Sequence, residues 1–138
     1  MLELYDYELS GNCYKIRLIL SFLNLDYKSK KIEFYPSEEH KSEVFLQINP
    51  LGQLPVISDG GLILRDAQAI LVYLASKYDK TNKWYNVNDP EMLGSVSQWL
   101  AFGDSITGSA SAARLHDTLF YNNFNIDKCR ETAHLQFR

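Results

Sequence analysis

Residues 2–7, LELYDY, alternate in the manner of a half-buried strand, and a few residues later the period becomes helical, with Ile16, Ile19, Leu20 and Leu23 at i, i+3, i+4 and i+7. A strand that runs directly into a helix with an apolar stripe packs that helix on a sheet, and this is how a parallel α/β unit begins. No other feature of the chain narrows its folding choices as much.

The rest of the N-terminal half is consistent with that start. Residues 27–34, YKSKKIEF, set Ile32 and Phe34 on one face and predict a second strand; beyond a polar loop, VFLQI predicts a short helix. PVIS, the turn DGG and LIL predict a β-hairpin, with Asp59, Gly60 and Gly61 supplying positive φ values, so the last two strands are expected to be antiparallel. Ala67, Ile70, Leu71, Leu74, Ala75 and Tyr78 then repeat at helical spacing. The order is β-α-β-α-β-β-α over residues 1–78.

Residues 79–89 are polar and aperiodic and read as a linker. Asp89 and Pro90 form a helix start, and Met92, Val96, Trp99, Leu100 and Ile106 mark its apolar face, interrupted by Gly94, Gly103 and Gly108. A further helix is expected with Asp127 as its cap, so residues 90–138 read as an all-α region.

Composition restricts the function. The formal net charge of −3, with lysines scattered along the chain, provides no basic field for a nucleic acid backbone. No run approaches the ~20 apolar residues of a membrane span, and the residues after Met1 lack a leader pattern, so a cytoplasmic protein is expected. Cys13 and Cys129 are too far apart in sequence to read as a disulfide framework or a metal cluster, so any thiol chemistry is solitary or uses a thiol from outside.

SGNCYKIRL, INPLGQLPVI and GGLILRDAQAILVYLASKY, in that order and followed by helices, resemble the cytosolic glutathione transferases. The resemblance is most specific in residues 49–55 and 66–70, and it points to serine-type members similar to the theta and zeta classes. It implies an α/β thioredoxin-like N-terminal domain followed by an incomplete all-α C-terminal region that leaves apolar surface exposed. It also implies glutathione as co-substrate with no other cofactor or metal, a small hydrophobic electrophile as acceptor, homodimers, and a role in detoxification.

Within that resemblance Ser10, Asn12 and Cys13 are the candidate catalytic residues. Ser10 by itself reads as a helix N-cap; the resemblance implies that its hydroxyl donates to the thiol sulfur of glutathione, with Asn12 as a further donor. Cys13 reads as a small core residue, on the same stripe as Ile16, or as a thiolate favoured at a helix N-terminus. The glutathione cradle is implied to consist of Ser10, His40, Lys41, Gln53, Leu54, Pro55, Asp66 and Ala67. In it, Leu54 pairs its backbone with the cysteinyl unit ahead of a cis Pro55, and Asp66 and Ala67 receive the γ-glutamyl end. Ala67 stands where many members have serine, which removes one hydroxyl donor. Phe102 and Ile106 are the candidate acceptor-pocket residues. Two other functions remain open: a Cys13-dependent glutathione thiol-disulfide oxidoreductase or peroxidase, and a noncatalytic protein-interaction module.

Overall fold

A computed structural model describes residues 1–119 and 125–137. Strand β1 (Glu3–Asp6) leads to helix α1 (Gly11–Phe22), strand β2 (Lys28–Lys31), a 3-10 turn (Glu39–Lys41), helix α2 (Glu43–Ile48), the hairpin β3 (Val56–Asp59) and β4 (Leu62–Arg65), and helix α3 (Ala67–Tyr78). These form a four-stranded sheet in the order β2-β1-β3-β4, with β1 and β2 parallel and β1–β3 and β3–β4 antiparallel. This is the mixed sheet that a thioredoxin-like domain requires. Strand β2 is shorter than the apolar pattern predicts: Ile32 is buried just past its end, and Phe34 lies in the loop beyond.

The period-2 alternation of the strands separates two cores. Leu4 and Ile57 meet Ile16, Ile19 and Leu20 of α1 and Ile70 and Leu74 of α3 on one face, whereas Tyr5 and Val56 meet Ile32 and Phe45 on the other. Helices α1 and α3 therefore share a face and α2 covers the opposite one. Truncating a fully buried member such as Leu4 or Leu74 to alanine would cost about 2–5 kcal/mol.

In the hairpin, positive φ falls on Gly60 and Gly61, at 59° and 93°, and not on Asp59, which stays in β3 opposite Leu62. Asp59 instead looks to α3, where its Oδ2 accepts from Tyr73 Oη at 2.8 Å, Lys77 Nζ at 2.7 Å and Tyr78 Oη at 2.6 Å.

The chain divides into two compact units, Met1–Leu93 and Gly94–Arg138. The first includes residues 79–89, where Asp79 accepts from the backbone N–H groups of Thr81 at 2.9 Å and Trp84 at 2.8 Å, and Trp84 stacks on Phe22. Helix α4 (Pro90–Ile106) begins in this unit, with Asp89 Oδ1 accepting from Met92 N at 3.0 Å as its cap. In the second unit α4 passes into one turn of π-helix (Thr107–Ser111), containing Gly108, and then into α5 (Ala112–Leu119). Ser109 fills the widened turn by donating to the carbonyls of Ser105 and Ile106. The last helix, α6 (Ile126–Gln136), is capped by Asn125, whose Oδ1 accepts from Lys128 N at 3.1 Å; Asp127, expected to be the cap, lies in the first turn. On α4, Trp99 and Phe102 are exposed and Ile106 is half-buried.

Candidate functional site

Strand directions gather the candidate residues. Tyr5 pairs with Val56, Val56 with Arg65, and Asp6 with Lys31, so the ends of β1, β2 and β4 and the start of β3 share one end of the sheet. Ser10 follows β1, His40 and Lys41 follow β2, Gln53, Leu54 and Pro55 precede β3, and Asp66 and Ala67 follow β4. Residues separated by more than fifty positions thus emerge at a common edge.

Ser10 has the extended backbone of an N-cap, and its Oγ accepts from Cys13 N at 3.2 Å. Ser10 is half-buried, and its hydroxyl also hydrogen-bonds the Cys13 thiol. The helix N-terminus beside it carries partial positive charge. Asn12 is occupied differently: its Oδ1 accepts from Lys15 Nζ at 2.8 Å. Cys13 is fully buried, and its Sγ accepts from Tyr7 N at 3.5 Å. Burial, reinforced by the Asp6 carboxylate, pushes its thiol up to about 11 despite the hydrogen bonds from Ser10 and Tyr7.

The peptide bond between Leu54 and Pro55 is cis, and Leu54 lies outside the strand pairing. The turn before it is organised around buried Asn49, whose Nδ2 donates to Gln53 O at 2.8 Å and whose Oδ1 accepts from Leu51 N at 3.1 Å. The Gln53 side chain is therefore left exposed at the sheet end. Gly52 adopts φ +58°, and a Cβ there would approach the His40 carbonyl oxygen to 3.0 Å, so this turn packs directly on the 3-10 segment.

His40 is 3% exposed rather than solvated. Its ring stacks on Phe34 at 4.0 Å, Phe34 leans on Tyr7 at 5.6 Å, and Nδ1 has no partner within the protein. Desolvation, then the neighbouring Lys41 charge, lowers its pKa and holds the ring neutral. Lys41 is exposed and pairs with Glu38 at 2.7 Å.

Asp66 has φ +74°, a strained value for a residue with a side chain, and its Oδ1 caps α3 by accepting from Ala69 N at 2.9 Å. The first N–H groups of a helix have no intrahelical partner, so the start of α3 places backbone donors beside an exposed carboxylate, a pair suited to an ammonium and a carboxylate on the same carbon. Ala67 is buried and adds no side-chain donor.

The sequence pattern had not singled out Asp6 and Arg17. Arg17 ion-pairs with the Asp6 carboxylate, which is buried at the end of β1. The available signal was a strand ending in Asp, followed by an Arg beside the apolar stripe of the next helix. A cleft of about 740 Å³ opens beside them, lined by Tyr7, Glu8, Tyr14 and Ile32 among others, but none of Ser10, Leu54, Pro55, Asp66 or Ala67 lines it. Among the described residues no group of three or more His, Cys, Asp or Glu side chains is placed to hold a metal, and no helix is long and apolar enough to cross a membrane.

Residues 4–82 match a family described as "Glutathione S-transferase, N-terminal domain". Glutathione S-transferase theta-1 of Rattus norvegicus is 35% identical over 102 residues, covering 74% of this chain and 42% of the rat protein. Human glutathione S-transferase theta-2 is 43% identical over 72 residues, 51% of this chain and 29% of its own length. Among solved structures, human glutathione transferase theta-2 in complex with glutathione and an unknown ligand superposes with a TM-score of 0.84 at 26% identity, covering 99% of this chain and 58% of that one. A glutathione transferase homolog from Lodderomyces elongisporus with two GSH per subunit gives a TM-score of 0.78 at 27% identity, covering 99% of this chain and 66% of that one. The chain spans half or less of the length of these two curated relatives. With the family match running from the first strand past the third helix, the chain belongs to the glutathione S-transferase family.

Proposed function

We propose that this chain binds glutathione across the shared sheet end and activates its thiol as a thiolate for attack on a small hydrophobic electrophile. The observation that carries the reading is Ser10: its hydroxyl stands at the N-terminus of α1, where its O–H can turn from the Cys13 thiol to the sulfur of a bound glutathione. The N-terminus of α3 with Asp66 receives the γ-glutamyl end, Leu54 offers backbone to the cysteinyl unit, and His40 with Lys41 and Gln53 lies towards the glycyl end.

Lowering a thiol pKa from about 8.5 by one to two units needs only ~1.4 to 2.7 kcal/mol of preferential stabilisation, within the range of one charge-assisted hydrogen bond plus a helix terminus. The proton goes to solvent. The sulfur lone pair then forms a C–S bond as the leaving group departs with its electron pair, the rate gain coming from thiolate fraction and positioning. Cys13 is poorly suited to be the nucleophile, because burial disfavours its thiolate. Asn12 assists Ser10 as a second donor. The same reading implies a cytoplasmic protein acting in detoxification, with a second copy of the chain as its partner.

The test is ultraviolet difference titration of glutathione with the native chain, Ser10→Ala and Cys13→Ala. Thiolate absorbance rising well below pH 8.5, lost in Ser10→Ala and kept in Cys13→Ala, is the expected result. The converse pattern would establish the cysteine-dependent alternative. Absence of glutathione binding would favour the interaction module.

A further inference from the structure

Two hydrogen bonds cross from the second turn of α1 to the chain that precedes it. One Arg17 nitrogen pairs with the Asp6 carboxylate, and the other donates to Glu8 O at 3.0 Å. Asp6 ends β1 and Glu8 lies midway between it and Ser10. We propose that Arg17 is a positioning residue for Ser10, a two-pronged strap that holds the β1–α1 loop on the helix and cancels the Asp6 charge beneath the site of thiolate formation. This rests on the reading of Ser10 as the thiol-activating hydroxyl.

The loop has other ties as well. Ser10 N donates to Tyr7 O at 3.0 Å, Tyr7 N to Cys13 Sγ at 3.5 Å, and Ser10 Oγ caps the helix. Arg17 adds a bond to the carbonyl at the middle of the loop and one to the carboxylate at its foot. A guanidinium can do both at once because its donors are splayed in a rigid plane, one nitrogen to each acceptor.

The Asp6 carboxylate is close enough to Cys13 to oppose formation of its thiolate, and Cys13 lies one turn from the Ser10 cap. In the proposal, a sulfur anion formed beside Ser10, one turn before Cys13, is opposed by the same carboxylate. Paired with Arg17, Asp6 presents a nearly neutral ion pair; unpaired, it presents a buried negative charge in a low-dielectric setting. The other charged groups around the adjoining cleft, Glu8, Lys31, Glu33 and Glu39, stay the same in all the variants below.

The experiment follows glutathione thiolate absorbance against pH with the full chain in wild type, Ser10→Ala, Arg17→Gln, and Arg17→Gln combined with Asp6→Asn, each checked for a cooperative melt. Arg17→Gln is expected to raise the titration midpoint by about one pH unit, a roughly tenfold loss of thiolate at fixed pH. The double variant, in which the carboxylate is neutral, should restore the charge part of the shift and leave the part due to the lost loop bond. A wild-type midpoint in Arg17→Gln, or no restoration in the double variant, overturns the inference. If Arg17→Gln does not fold, Arg17→Lys, which keeps the charge but loses the rigid fork, should raise the midpoint by less than a full unit; a wild-type midpoint overturns the strap. Failure of the Ser10 reading looks different: wild type would show no thiolate signal, or Ser10→Ala would retain it.

Discussion

Three hydrogen bonds from α3 converge on one oxygen of the hairpin, and this makes the stability of the N-terminal unit titratable. Oδ2 of Asp59 accepts from Tyr73, Lys77 and Tyr78, all within 2.6 to 2.8 Å. These donors, Lys77 first, hold the Asp59 carboxyl at about 2 against an ordinary 3.8. A depressed carboxyl stabilises the fold above its unfolded pKa and loses that contribution as pH falls towards its folded pKa. The full difference would amount to about 2.4 kcal/mol, but the Lys77 side chain is 45% exposed, so screening reduces it to about 1 to 2 kcal/mol. Asp59→Asn mimics the protonated form with little change of shape. Urea denaturation at pH 7 should show the variant less stable by that amount, and by pH 3 about half of the gap should have closed, since pH 3 lies between the two pKa values. A gap that is unchanged between pH 7 and pH 3 would refute the reasoning, because the loss would then be steric rather than electrostatic.

Gly52→Ala should destabilise the protein by about 1 to 3 kcal/mol in denaturant, from the unfavourable φ together with the 3.0 Å approach to the His40 carbonyl, and should weaken glutathione binding by moving His40. With Ellman's reagent, the native protein should release far less than two equivalents of thiol quickly, Cys13 reacting only as the fold opens; fast labelling of Cys13 in the folded state would contradict its burial. Ala67→Ser should tighten glutathione binding by about 0.5 to 1.5 kcal/mol, measured by titration calorimetry, by adding a hydroxyl donor at the start of α3; unchanged affinity would mean that the hydroxyl does not reach the ligand.

The local code of this chain is strong where period and punctuation agree. The stripe Ile16, Ile19 and Leu20 after an alternating strand, the Asp-Gly-Gly turn, and the repeat from Ala67 to Tyr78 specify two helices and a hairpin because each is set by neighbours in sequence. The Ser10 cap and the Asp89 cap were legible for the same reason, as was the family through residues 49–55 and 66–70. Weak local signals misplaced boundaries: Asn125 rather than Asp127 caps α6, since both residue types cap equally well and chain entry decides between them. What only tertiary structure decided are relations between distant residues. His40 reads as a loop histidine until Phe34 stacks on it and the Gly52 turn closes beneath it. Arg17 carries no signal in the sequence pattern until Asp6, eleven residues earlier, is buried beside it. Asp59 reads as a turn residue until three donors from α3 converge on its one oxygen. The physical reason is common to all three: a pattern of side chains prescribes which face is buried, but which polar groups meet across that face depends on strand order and helix packing, and these emerge only when the whole domain closes.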